Sequence, residues 1–377
     1  MVNGEHRMTN KKLNIAVVFG GRSGEHEVSL MSAHSVLAAL DPSKYNVTQI
    51  GITHEGKLLT GVDVLSKFED GKFESLEQVI ISPDPSEAGV YVLRNNQLEK
   101  LTDVDVYFPV LHGTFGEDGT IQGLFEMADA AYVGAGVLGS SVGMDKGVFK
   151  DVMRANNIPL VESIIVLRSE IENNMNAVIE KAEKVGAYPI FTKPANLGSS
   201  VGVTKCRTRG DLGEGLMEAA LYDRRVLVER GIANPREIEV SVLGNDDPKA
   251  SVPGEVLPSR EFYSYESKYV DGTSGLLIPA PLPEETVVRI QDIAVCAFKA
   301  IDGAGMARVD FFIDKDSGEV LLNEVNTIPG FTKISMYPKL WEASGLSYSQ
   351  LVDRLVELAL ERKADRDRTS HTFRSQV

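Results

Sequence analysis

The sequence predicts an α/β protein of three successive units, and three observations carry that expectation. A buried strand, Leu13–Phe19 (LNIAVVF), runs into Gly20-Gly21-Arg22-Ser23-Gly24 and then into helical periodicity over Glu25–Leu40, the order that opens a nucleotide-type layer. A second group of strands and helices carries a glycine–serine turn behind a lysine, Lys193 to Gly202. A third group ends in two alternating segments, Ala307–Phe312 (ARVDFF) and Leu321–Ser335 (LLNEVNTIPGFTKIS), joined by the turn Asp314–Gly318 into a hairpin. At 377 residues the chain is too long for one ordinary core. The units fall at residues 11–139, 140–232 and 233–364, with disordered ends at 1–10 and 365–377.

A formal charge of −15 gives nucleic acid and anionic membranes nothing to be attracted to, whereas a phosphate ligand needs only a few local cations. The hydrophobic fraction of 43% is that of an ordinary soluble protein. Cys206 and Cys296 stand far apart with no CxxC or Cys/His cluster, which argues against zinc or a disulfide framework and for reduced thiols in a cytosol. Met1–Lys12 has no apolar h-region, no later run approaches membrane-spanning length, and Met8 is a candidate native start.

Taken in order, the first helix begins with Glu25, His26 and Glu27, where carboxylates suit the helix dipole; Glu25 is either a capping acid or one that faces a ligand. The preceding turn lacks GxGxxG spacing, and no acid clearly closes the next strand, Tyr45–Ile52, which weighs against a nicotinamide-dependent dehydrogenase. From Gly56 to Thr102, short strands and turns carry no chemical motif and read as an insertion of scaffold hairpins. Val104–Val110 (VDVYFPV) is buried and ends in the polar, glycine-rich Leu111–Gly119, the position at which open α/β sheets place ligands. His112 in that stretch is a site residue or a histidine that stabilises its loop. A helix over Thr120–Ala130 follows, and the small residues from Gly134 to Gly143 mark a hinge.

The second unit reads as helix Lys146–Asn157, strand Ser163–Leu167, helix Asn174–Val185 and strand Tyr188–Lys193. Lys193, the backbone N–H groups up to Gly202 and the hydroxyls of Ser199 and Ser200 suit an oligophosphate; a polar hairpin is the other reading. This is not a Walker A loop, because the lysine precedes the glycines. Helix Gly210–Tyr222 and strand Arg225–Glu229 lead to a linker at Gly231–Pro235, bordered by Glu229 and Glu237, which face either an adenosine or solvent. Glu261–Tyr269 (EFYSYESKY) reads as an aromatic lid that excludes water and reaches the reaction with Lys268 or a phenol. Helices over Glu284–Ile301 and Ser347–Ala364 flank the hairpin. In the hairpin, strand alternation puts Arg308 and Asp310 on one face, and Glu324 and Asn326 on one face. Two carboxylates and an amide oxygen are hard ligands for Mg²⁺, whose shell phosphates complete, so the hairpin points to ATP. An acidic hairpin around a structural arginine is the alternative.

Together these motifs closely resemble the ATP-grasp D-alanine–D-alanine ligases of bacterial wall synthesis, nearly end to end and in that family's order. The likeness begins at Gly20-Gly21 and Ser23–Ser29 (SGEHEVS), includes Leu111-His112-Gly113 and Met144-Asp145-Lys146, and ends in Asn323–Gly330. It implies a three-domain ATP-grasp fold, an N-terminal Rossmann-like layer plus two α+β domains that enclose ATP. It also implies ligation of two D-alanines through an acyl phosphate, in a cytoplasmic homodimer. By the same resemblance Lys146, Lys193, Ser199, Ser200 and Lys268 match positions on the ATP phosphates, and Glu229 and Glu237 the adenine and ribose ligands. Asn323 belongs to the nucleotide site, and Asp310, Glu324 and Asn326 match the ligands of two Mg²⁺ ions, for which Mn²⁺ can substitute. Glu25 matches the acid on the first D-alanine's ammonium, His112 a residue near its carboxylate, and Ser335, with Met336 beside it, the contact to the second D-alanine. Glu25, Ser199 and Tyr269 match a hydrogen-bonded triad that closes the lid, and Arg308 with the Gly330 N–H matches the oxyanion donors. Tyr269 stands where lactate-preferring relatives carry histidine, so D-alanine and D-serine remain the candidate second substrates. A non-catalytic nucleotide binder on the same scaffold would not require Arg308.

Overall fold

The computed structural model of the chain describes residues 11–198, 200–257 and 275–370. Among the described residues the strands form three sheets. In the first, Leu13–Gly20 pairs in parallel with Tyr45–Ile52 on one side and Val106–Val110 on the other. Parallel pairing buries both faces, which is why Ala16–Phe19 read as an uninterrupted apolar run and are fully buried. The same pairing sets Phe19 beside Val110, so the loops leaving the two strands emerge side by side. Gly20 is required there: its φ is +87°, and a Cβ would lie 2.3 Å from the Ile52 carbonyl oxygen. The short strands Leu58–Thr60, Glu77–Ile81, Val90–Arg94 and Gln97–Thr102 continue this sheet antiparallel, so the region expected as an insertion lengthens the first layer.

The second sheet has four antiparallel strands in the order Thr204–Cys206, Ile190–Pro194, Arg225–Arg230, Ser163–Leu167. Helices Arg168–Ala182 and Arg209–Tyr222 close its core over Val166, Ile190, Leu212, Leu216 and Val226. The first of these helices begins earlier than the expected Asn174. Asn174 itself has non-helical φ/ψ, and its side chain accepts the Ala177 N–H at 3.2 Å, so it caps a second helical segment, the part that periodicity detects. In the third sheet Arg236–Gly244 lies between Gly254–Leu257 and Gly305–Ile313, and Val320–Asn326 forms the far side of the hairpin.

The last helix, Tyr348–Arg366, packs Leu351, Val352, Leu355 and Val356 into the same buried cluster as Val17, Phe108 and Val110 of the first sheet. It runs past the expected end at Ala364. Asp365 and Arg366, expected in a disordered tail, are helical, and Arg366 pairs with Glu126 at 2.6 Å. Among the described residues no helix is long and apolar enough to cross a membrane.

Candidate active site

The hairpin expected from the sequence is present: Gly305–Ile313 and Val320–Asn326 pair antiparallel, with Arg308 opposite Asn326 and Asp310 opposite Glu324. These side chains line one cavity of about 680 Å³ together with Glu25, Lys146, Lys193, Ser200, Glu229, Glu237 and Asn323. Arg308 donates from Nε and a terminal nitrogen to the two Asp310 oxygens at 2.7 and 2.6 Å. Its Nε also lies 3.0 Å from Glu239 Oε2. Among the described residues no three His, Cys, Asp or Glu side chains close a metal cage. Asp310, Glu324 and Asn326 fit instead an open set of two carboxylates and an amide, as suits a hard cation that keeps positions for phosphate oxygens. One lone pair of the Asn326 amide oxygen already accepts the Ile328 N–H at 3.1 Å, which orients the side chain and leaves a second lone pair.

Across the cavity, Lys146 opens the helix Lys146–Ala155, which Asp145 caps by accepting the Gly147 and Val148 N–H groups. Lys146 Nζ donates to the Leu197 carbonyl at 2.7 Å. Lys193 leaves its strand toward Glu229, with Nζ 2.6 Å from Oε2, and Lys150 approaches the other oxygen at 2.5 Å. Burial pushes the Glu229 carboxyl up, but the two ammonium groups outweigh it and bring it down to about 2. Both oxygens of the expected adenine ligand are thus engaged by lysines. The Glu25 carboxylate fits between two glycines: a Cβ on Gly113 would lie 2.6 Å, and one on Gly198 2.7 Å, from its Oε2. The glycine–serine turn of the second unit therefore meets the first helix of the first. Ser199, Lys268 and Tyr269, and with them the expected lid and triad, lie outside the described residues.

His112, Gly330, Ser335 and Met336 are not part of the wall of this cavity. His112 Nδ1 is 3.0 Å from the Ile328 carbonyl, which accepts only, so that nitrogen carries the proton. Nε2 then accepts from the Ser32 hydroxyl at 3.0 Å, and Ser32 Oγ in turn accepts the Phe331 N–H at 3.2 Å. Burial pushes the His112 pKa down, which keeps the ring in this neutral form. Of the two readings open for His112, the contacts favour the loop-stabilising one: it ties the loop that carries Gly330 to the first unit. Ser335 Oγ bonds the Thr332 backbone N–H at 3.0 Å and the Thr332 hydroxyl at 2.8 Å. Met336, expected at the border of the second-substrate pocket, packs in an apolar cluster with Leu340 and with Val256, which lines the cavity.

The family models of the D-ala D-ala ligase N-terminus and C-terminus match residues 14–135 and 152–357. The chain belongs to the D-alanine–D-alanine ligase family. It is 50% identical to a D-alanine–D-alanine ligase of Heliobacterium modesticaldum over 95% of this chain and 98% of that one. A relative of the same name from Thermoanaerobacter is 51% identical over 93% and 97%. Among solved structures, a D-alanine-D-alanine ligase from Coxiella burnetii superposes with a TM-score of 0.79 at 37% identity, covering 94% and 96% of the two chains. The VanG D-Ala:D-Ser ligase from Enterococcus faecalis superposes with 0.82 at 36%, covering 93% and 100%. The ATP-grasp fold of the ligase family is thus the fold of this chain.

Three residues of this ligase site escaped sequence reasoning. Lys150 follows Lys146 by one helical turn, so a second lysine on that face was there to be read. Glu239 shares a strand face with Glu237 by the same alternation that finds Arg308 and Asp310. Glu117 accepts the Gly113 N–H at 2.6 Å and lines the cavity; burial, then the charge of Glu25, pushes its pKa well up. A lone acid in a glycine-rich turn carries no period that would reveal it.

Proposed function

We propose that the chain joins two D-alanines with ATP, giving D-alanyl-D-alanine, ADP and phosphate for peptidoglycan precursor synthesis. The observation that carries this reading is the convergence on one cavity of the Arg308–Asp310–Glu324–Asn326 row, Lys146, Lys193 and Glu25. Nucleotide lies between the second and third sheets. Lys146 and Lys193 neutralise its phosphates once Lys193 leaves Glu229, which then faces the adenine amino group while Lys150 holds it in place. Ser199, Ser200 and Asn323 add polar contacts, Glu237 meets the ribose, and Lys268 reaches the γ-phosphate from the lid. Two Mg²⁺ ions, or Mn²⁺ in their place, supply charge neutralisation of the γ-phosphoryl group when bound to Asp310, Glu324 and Asn326.

Glu25 holds the first D-alanine's ammonium so that its carboxylate oxygen attacks the γ-phosphorus in line. The bond from phosphorus to the bridging oxygen of ADP breaks, leaving an acyl phosphate. The second D-alanine, its carboxylate held by Ser335, attacks the acyl carbon through its neutral amine, and one N–H proton of that amine leaves with the phosphate. Arg308 and the Gly330 N–H stabilise the tetrahedral oxyanion until phosphate departs. The lid, closed through Glu25, Ser199 and Tyr269, excludes the water that would hydrolyse the acyl phosphate. The neutral His112 fixes the Gly330 loop at the first substrate's carboxylate. A cytoplasmic homodimer is the setting in which we place this chemistry. Phosphate release from MgATP, measured with and without D-alanine and repeated with D-serine and D-lactate, tests the reading. D-Alanine alone supports release in the expected result; release independent of any amino acid rejects it.

A further inference from the structure

We propose that Glu239 is a positioning residue, which keeps Arg308 on the oxyanion side of the site when a divalent cation engages Asp310. The inference rests on the ligase reading above. Strand register sets three carboxylates in one row, because Glu239 lies opposite Asp310 and Asp310 lies opposite Glu324. Opposed like charges on a sheet face repel, so the row requires cations. Arg308, on the same face, is one cation the described residues supply to that row: it grips Asp310 with two hydrogen bonds and reaches Glu239 at 3.0 Å.

The same carboxylate is thus asked for twice. Asp310 spends one lone pair of each oxygen on Arg308, while its place beside Glu324 makes it a metal ligand. A divalent cation on Asp310 and Glu324 lowers the negative charge that retains Arg308 there. Without another acid, the guanidinium either stays with Asp310 and competes with the cation, or leaves the position from which it meets the oxyanion. Glu239 removes that conflict. Its strand is paired on both sides, to Gly254 and to Asp310, and its side chain is largely buried. It therefore presents a fixed second carboxylate to the Arg308 Nε. Its neighbours Ile238 and Val240 face the core, so the acid serves the cavity and not the packing of the sheet.

Glu239→Gln keeps the side chain's size and removes its charge. Two readouts are expected to move. Turnover falls roughly tenfold as Arg308 loses its buried ion-pair partner, while the KM for ATP stays within about twofold. The Mg²⁺ concentration that half-maximally tightens ADP binding, measured by calorimetry without turnover, rises roughly threefold, because Arg308 stays on Asp310. Glu239→Asp, which restores the charge on a shorter arm, gives a Mg²⁺ half-point between the two. If the glutamine variant does not fold, the aspartate variant decides: a half-point above wild type supports the role, and an unchanged one overturns it. Equal Mg²⁺ titration and turnover in Glu239→Gln and wild type also overturn it, and leave the ligase reading standing. Wild-type protein without D-alanine-dependent phosphate release overturns the ligase reading and the oxyanion half of this proposal with it.

Discussion

Arg308 and Glu229 are the two residues whose environments say most about the chemistry. Arg308 is held in a planar, two-point contact by a carboxylate on its own strand, so it is oriented before any substrate arrives. Arg308→Ala is expected to lower turnover by roughly 10²–10³-fold with little change in nucleotide affinity, the loss typical of an oxyanion donor. Steady-state kinetics beside ADP calorimetry check this. Glu229 has its pKa lowered from 4.5 to about 2. A lowered carboxyl contributes stability that is complete above its unfolded value and is lost as pH falls through the folded value, here from 4.5 toward 2. Glu229→Gln leaves Lys150 and Lys193 buried without their counter-charge and costs about 3–5 kcal/mol at neutral pH. Urea unfolding at several pH values should show that loss, and a shallower decline than wild type below pH 4.5. The one-turn spacing from Lys146 marks Lys150 in the sequence but not its partner, because Glu229 lies on a strand far along the chain.

At the scale of elements, the hairpin was the most legible part of the sequence. Period-two alternation and a turn of Asp, Ser and Gly fix both its register and its polar face, and the structure pairs the residues so marked. The helix ends were less legible. Arg168 begins its helix through the Glu170 carboxylate, which accepts the Leu167 N–H at 2.7 Å, a cap that does not need the usual small polar residue at its start. The Gly330 loop could not be placed at all, since its position depends on Ser32 and His112, distant in sequence and joined only by folding. Ser32→Ala breaks that relay while leaving the His112 contact to Ile328. It should reduce turnover without changing ADP binding, and ring-nitrogen NMR should show a changed His112 signal. Because burial lowers the His112 pKa, the wild-type ring is expected to stay neutral as pH falls through 6.5.

For the whole molecule, the strands of the described residues form three sheets, but the buried clusters do not divide sheet by sheet. Leu351, Val352, Leu355 and Val356 of the last helix share a buried cluster with the first sheet, so the ends of the chain stabilise each other. Leu355→Ala, at a fully buried position, is expected to cost about 2–5 kcal/mol and to destabilise first and third layers in one transition. Chemical denaturation followed by both circular dichroism and Trp341 fluorescence checks that coupling. Such sharing was invisible in the sequence, where the amphipathic pattern of a helix shows that it packs but not against which sheet. Glu25 of the first layer lines the same cavity as Asp310 and Glu324 of the hairpin. The claim that matters most is that this arrangement phosphorylates a carboxylate. D-Alanine labelled with ¹⁸O in its carboxyl group, turned over with MgATP, tests it directly by mass analysis of the phosphate released. One labelled oxygen is expected in each phosphate, carried over from the acyl phosphate; phosphate free of the label would rule out that intermediate.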